Sequence, residues 1–154
     1  MRFIFTVAAV LFIAACDQGE PSQGGGEETM EEGLYVEVAA SEDKGGINVE
    51  ATLGNGEDDP VELTFNTTQR IEVRLYEKGK KDQPVYRSSR EMMYNQVIGT
   101  LMLDPGEETN FSEDIPALYL TEGTRYKGDV AVTVARVDED DSPSKPSGSF
   151  TIEM

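Results

Sequence analysis

Residues 47–53 read INVEATL, so that Ile47, Val49, Ala51 and Leu53 alternate with Asn48, Glu50 and Thr52. Successive side chains of a strand point to opposite faces, and this period of two therefore describes a strand with one apolar and one polar face. The pattern continues on both sides. Leu34, Val36, Val38 and Ala40 precede it, and Val61, Leu63 and Phe65, then Ile71, Val73 and Leu75, follow it with polar residues between. Further alternation runs through Leu101 and Leu103, through Tyr126, Val130, Val132 and Val134, and through Phe150 and Ile152. Turn residues punctuate these runs at Gly45-Gly46, Gly54-Asn55-Gly56, Asp58-Asp59-Pro60, Lys78-Gly79-Lys80, Pro105-Gly106 and Glu122-Gly123. No long segment carries a helical stripe. Residues 34–154 are thus expected to form an all-β, immunoglobulin-like antiparallel β-sandwich of about seven to nine strands.

Residues 120–126, LTEGTRY, stand just before the alternating Val130, Val132 and Val134. This arrangement is similar to the tyrosine corner of immunoglobulin-like domains, and it predicts a bond between the Tyr126 hydroxyl and the backbone a few residues upstream. The acidic stretch 138–148 is expected to be an exposed loop before the last strand. Its Asp138-Glu139-Asp140-Asp141 cluster lacks the glycine and the spaced ligands of a Ca²⁺ loop, so solvated carboxylates are expected there.

Composition narrows the function. The chain has 154 residues, 13 Lys and Arg against 30 Asp and Glu, and a formal net charge of −17. Nucleic acid is a poor partner for such a chain, because phosphate binding needs clustered cations. With no His, no Trp and one Cys, His-based triads, His-ligated metals, thiolate clusters and an intrachain disulfide are excluded. No cofactor is implied, and a non-enzymatic role is expected.

The N-terminus suggests an address. Met1-Arg2 is followed by an apolar run over 3–15. A spanning helix needs roughly 20 apolar residues, so this shorter run reads as the core of a signal peptide over 1–15. Ile13-Ala14-Ala15-Cys16 resembles the bacterial lipobox, which implies cleavage between Ala15 and Cys16 and lipid attachment at Cys16. Residues 16–33, rich in Gly and Glu, read as a flexible acidic linker. On this reading the protein is exported and anchored by acylated Cys16 to a lipid bilayer of the bacterial cell envelope, with inner and outer membrane both open.

The order of features over 49–111 carries a second resemblance. A strand ends at Asn55 with a Gly/Asp turn, and Val61-Glu62-Leu63-Thr64-Phe65 leads into Thr68-Gln69-Arg70-Ile71-Glu72-Val73. Tyr76 with Gly79, Val85-Tyr86-Arg87-Ser88, Met92-Met93-Tyr94-Asn95-Gln96 and Leu103-Asp104-Pro105-Gly106-Glu107 follow. This stretch resembles the BsuPI family of intracellular proteinase inhibitors. It departs from the family pattern at Ile71-Glu72-Val73, where an aromatic-Asp-aromatic stretch is usual, and at Tyr86, where a Trp is usual.

The resemblance implies a sandwich that binds a serine protease of the subtilisin type. An exported chain would need a protease or another envelope protein as its partner on that side of the membrane. An inhibitor must present an extended loop, and the foremost candidate is the segment Ser88, Ser89, Arg90, Glu91, Met92, Met93 and Tyr94, with the basic loop 78–83 second. The alternative for Met92, Met93 and Tyr94 is a core segment crossing between sheets. The alternative for the whole protein is a structural or assembly lipoprotein without inhibitory activity.

Overall fold

A computed structural model describes residues 33–154. The expected signal peptide, the cleavage site at Cys16 and all of the linker except Gly33 lie outside the described residues. The first two strands, β1 (Leu34–Asp43) and β2 (Gly46–Asn55), form a hairpin in which Leu34 faces Asn55 and Asp43 faces Gly46. Its two turn residues are Lys44 and Gly45, both with left-handed φ of 51° and 78°. That combination matches the right-handed twist of the flanking strands.

The chain continues through β3 (Val61–Phe65), β4 (Ile71–Glu77), β5 (Tyr86–Arg87), a single helical turn α1 (Ser88–Glu91), β6 (Gly99–Leu103) and β7 (Glu108–Ile115). A 3-10 turn at Ala117–Tyr119 leads to β8 (Arg125–Val132), β9 (Arg136–Val137) and β10 (Ser147–Glu153). The described residues therefore hold ten strands rather than seven to nine. The extra ones include β5 and β9, two residues each, too short for any periodicity to register. A third strand missing from the periodic reading is β7. Its inward positions alternate Thr109, Phe111, Glu113 and Ile115, so polar residues occupy half of the phase that should be apolar.

Three antiparallel sheets result, ordered β1-β2-β7, β10-β8-β4-β5 and β6-β3-β9. The first two face each other and bury Ile47, Val49, Ala51 and Ile115 from one side against Val73, Leu75, Tyr126 and Val130 from the other. The third sheet continues the second: β8 pairs with β4, and the same chain runs on into β9, which pairs with β3. Backbone bonds from Thr133 to Arg70 and from Ala135 to Thr64 bridge the bend. A second apolar cluster of Leu53, Val61, Leu63, Phe65, Leu103, Val132 and Val134 fills that end. At its corner Asn55 is fully buried, donating to the carbonyls of Asp59 and Leu103 and accepting from Glu57 N–H.

Phe150 lies flat on Gly128, its cross-strand partner, so closely that a Cβ there would stand 2.1 Å from the ring. The tyrosine corner is present: Thr121 N–H donates to the buried Tyr126 hydroxyl at 2.8 Å. A Tyr126→Phe variant leaves that amide without its partner and is expected to lose about 1–2 kcal/mol of unfolding free energy. Urea denaturation measures this, and an unchanged midpoint would remove the corner from the stabilising contacts.

Candidate functional site

β4 alternates Ile71, Val73 and Leu75 inward with Glu72 and Arg74 outward. It pairs with β5 through Leu75↔Tyr86 and Arg74↔Arg87. Beyond Arg87 the chain leaves the sheet, and the backbone amide of Val73 would lose its partner. The Ser88 hydroxyl takes that place, accepting the Val73 N–H at 2.8 Å. Ser88 is completely buried. Its own proton goes to Glu113 Oε1 at 2.6 Å, and the Tyr86 hydroxyl donates to the same oxygen at 2.6 Å. Glu113 belongs to the opposite sheet, so one carboxylate ties the foot of the 88–98 segment to both halves of the sandwich.

A second carboxylate holds the foot from outside. Glu72 Oε1 accepts Arg87 Nε at 2.7 Å and Ser89 Oγ at 2.8 Å, while Oε2 accepts the Ser89 backbone N–H at 3.1 Å and Gln69 Nε2 at 2.8 Å. The two carboxylates titrate in opposite directions. Burial raises Glu72, but its bonds from Arg87, Gln69 and Ser89 outweigh that, so its pKa sits below the usual value. For Glu113 burial dominates, the Ser88 and Tyr86 bonds offset it only in part, and its pKa is raised.

The stability contribution of Glu72 is present above the unfolded value, about 4.3, and is lost as pH falls through its lower folded value. The contribution of Glu113 is the reverse: it is full below the unfolded value and lost as pH rises through the higher folded value. In Glu113→Gln the amide oxygen still accepts from Ser88 and Tyr86 but no longer titrates. Unfolding free energy measured from pH 4 to 7 is expected to be flatter or to rise more in this variant than in the parent. Parallel pH profiles would show that the fold does not raise the pKa of Glu113.

Beyond the foot, the Met92 N–H closes the helical turn on Ser88 O at 2.9 Å. Glu91 is held by Arg90 Nε and by the Tyr119 hydroxyl, both at 2.6 Å. Tyr119 packs edge-on against Tyr86 with ring centroids 5.2 Å apart. The segment then runs outside any helix or strand until β6. Midway it is pinned again: Thr68 N–H donates to Asn95 O at 2.9 Å, and Asn95 N–H donates to Thr68 Oγ1 at 3.0 Å.

Between and beyond these pins the side chains turn outward. Met92 is 50% exposed, Met93 101%, Val97 55% and Ile98 73%, and Met102 on β6 is 52% exposed. Met92 and Met93 are therefore surface residues, not core residues crossing between sheets. Only Tyr94 is half-buried. Burial, with the nearby charges of Glu113 and Glu72, pushes its phenol up to about 12.

The structure divides the expected segment. Ser88 is interior, Ser89, Arg90 and Glu91 belong to the helical turn and its braces, and only the chain from Met92 onward is free to lie extended. The basic loop 78–83 is wholly exposed, with Lys80 paired to Glu77. The two bracing carboxylates escaped the sequence reading. Glu113 left a trace, an ionisable residue in phase with Phe111 and Ile115, whereas Glu72 occupies an ordinary outward position. Asp138 ties the end of β9 to β3, its carboxylate accepting Glu62 N–H at 2.8 Å.

Fold and site together define a small all-β sandwich that displays one braced loop with an apolar tip. The chain belongs to the BsuPI family, described as intracellular proteinase inhibitor, whose family model matches residues 34–137. That description overturns the expected exported, lipid-anchored placement in the cell envelope, because the family is intracellular. The hydrophobic N-terminal pattern that prompted the expectation lies outside the described residues.

No curated protein matches the chain. Among solved structures it is similar to part of β-glucosidase 3B from Thermotoga neapolitana, at 17% identity over 79% of this chain and 16% of that one, TM-score 0.40. It is also similar to the sporulation control protein Spo0M from Bacillus subtilis, at 14% identity over 79% and 49%, TM-score 0.43. A penta-heme cytochrome c552 from Thermochromatium tepidum matches at 12% identity over 80% and 40%, TM-score 0.44. The chain spans less than half the length of each, and likenesses this distant carry no functional argument.

Proposed function

We propose that this chain inhibits a serine proteinase of the subtilisin type by laying the segment 92–98 into its active-site cleft. One observation carries the reading. Of the six large hydrophobic side chains exposed among the described residues, five (Met92, Met93, Val97, Ile98 and Met102) lie in one stretch of the chain, on and beside the braced loop. Clustered exposed apolar groups mark interaction surfaces, whereas scattered ones are ordinary.

The bracing supplies what such a loop needs. Immobilising a flexible side chain at an interface costs about 0.5–1.5 kcal/mol, and the same logic applies to a floppy backbone. Here Ser88, Ser89 and Asn95 already hold the loop before any partner arrives. Membership of a proteinase-inhibitor family supports the reading, and the protein acts by binding rather than by catalysis.

The test is titration of the full chain against subtilisin-like, chymotrypsin-like and trypsin-like serine proteinases, following residual activity and the integrity of the chain. Stoichiometric loss of activity in at least one of them, with the chain largely intact, is the expected result. Full residual activity at several-fold molar excess throughout would refute it.

A further inference from the structure

We infer that Met93 is the side chain that fills the primary specificity pocket, and that the target is accordingly a proteinase whose pocket is deep and apolar. This inference rests on the inhibitor reading and adds the residue and the class of pocket. Met93 is the apex of the loop: it is fully exposed, while its neighbours are restrained on both sides. On the N-terminal side Met92 is tied to Ser88 O and has extended backbone, φ −112° and ψ 148°. On the C-terminal side Tyr94 is half-buried and Asn95 is fastened to Thr68 by two bonds. One unrestrained side chain thus projects from a main chain that is held on both sides and extended at Met92, which suits a cleft that binds extended peptides.

The chemistry of the apex selects the pocket. Arg90, three residues before it, is paired with Glu91, and the apex itself carries no charge, so a pocket built around a carboxylate finds no partner there. Methionine is unbranched and adapts to a narrow apolar slot. Of the other exposed apolar residues of the loop, Met92 is only half exposed and its backbone is tied to Ser88 O, while Val97 and Ile98 are β-branched and stiff at χ1, which suits a wall of the cleft better than a deep pocket. Ile98 also directly precedes β6, whose Gly99 is paired with Phe65.

The full chain is compared with Met93→Leu, Met93→Lys and Met93→Asp variants against one proteinase with an apolar pocket and one with a carboxylate-lined pocket. Because Met93 touches no core residue, all four are expected to share one thermal midpoint. Against the apolar pocket, Met93→Leu is expected to keep the inhibition constant within a few-fold, and Met93→Lys and Met93→Asp to weaken it about 100-fold. Against the carboxylate-lined pocket, Met93→Lys alone is expected to gain inhibition.

If the parent inhibits and both charged variants inhibit equally well, Met93 does not enter the pocket, although the inhibitor reading stands. Inhibition of only the carboxylate-pocket proteinase by the parent would likewise overturn the assignment. A parent that inhibits neither enzyme brings down the inhibitor reading itself, and the Met93 assignment with it.

Discussion

Tyr86→Ala is expected to lower the free energy of unfolding by about 4 kcal/mol, the upper part of the range for truncating a buried aromatic side chain. Tyr86 and Tyr126 are the two largest buried side chains, and the Tyr86 ring contacts both the sandwich core and Tyr119. Truncation leaves a cavity between the sheets and removes one of the two donors to Glu113 Oε1. The half-buried carboxylate is then underpaired, which adds to the loss. Tyr86→Phe keeps the ring and removes only the donor, and is expected to cost about 1–2 kcal/mol. Urea denaturation of both variants separates packing from hydrogen bonding. Equal losses in the two would mean that the hydroxyl, not the ring, carries the stability.

Glu72→Ala is expected to act less on the fold and more on the loop. Four donors lose their acceptor at once: Arg87 Nε, Ser89 N–H, Ser89 Oγ and Gln69 Nε2. Arg87 is half-exposed and recovers water, so the stability loss is expected to be about 2 kcal/mol, near the middle of the range for leaving a polar group unpaired. The larger effect falls on inhibition, because the loop must then be ordered upon binding. Releasing two or three residues costs about 1–2 kcal/mol each, which predicts an inhibition constant weakened roughly 30-fold or more. Hydrogen exchange gives the companion measurement: the Ser89 and Met92 amides should exchange faster in the variant while the Val73 amide, bonded to Ser88, changes less. An unchanged inhibition constant would show that Glu113 and the Asn95–Thr68 pair hold the loop without Glu72.

The fold was legible where one face of a strand is apolar and the other polar. β2 and β4 announce themselves in this way, and the tyrosine corner announces itself through the spacing of Gly123, Tyr126 and the valines of β8. β7 was not legible, because Thr109 and Glu113 interrupt its inward phase. That same interruption has a structural role: Glu113 points inward and holds the foot of the loop through Ser88 and Tyr86. The candidate segment 88–94 is braced at its foot and exposed at its end, a division its sequence does not show. Nothing in the order Ser88-Ser89-Arg90-Glu91-Met92-Met93 tells that the first residue is buried completely and the last not at all.

By itself the sequence determined the class of fold, through side-chain periodicity, and the main turns, through Gly, Asn, Asp and Pro. It also excluded histidine chemistry, thiolate clusters and an intrachain disulfide, since composition needs no coordinates. The tertiary structure alone decided which carboxylates are structural and which methionines are surface residues. The physical reason is that periodicity reports which face of an element a residue occupies, and the face says nothing of what lies opposite. Ser89 meets Glu72, 17 positions away, through the pairing of β4 with β5, and Ser88 meets Glu113, 25 positions away, only because two sheets are stacked. Their joint effect, a loop held stiff with one methionine at its tip, exists only once those sheets have packed.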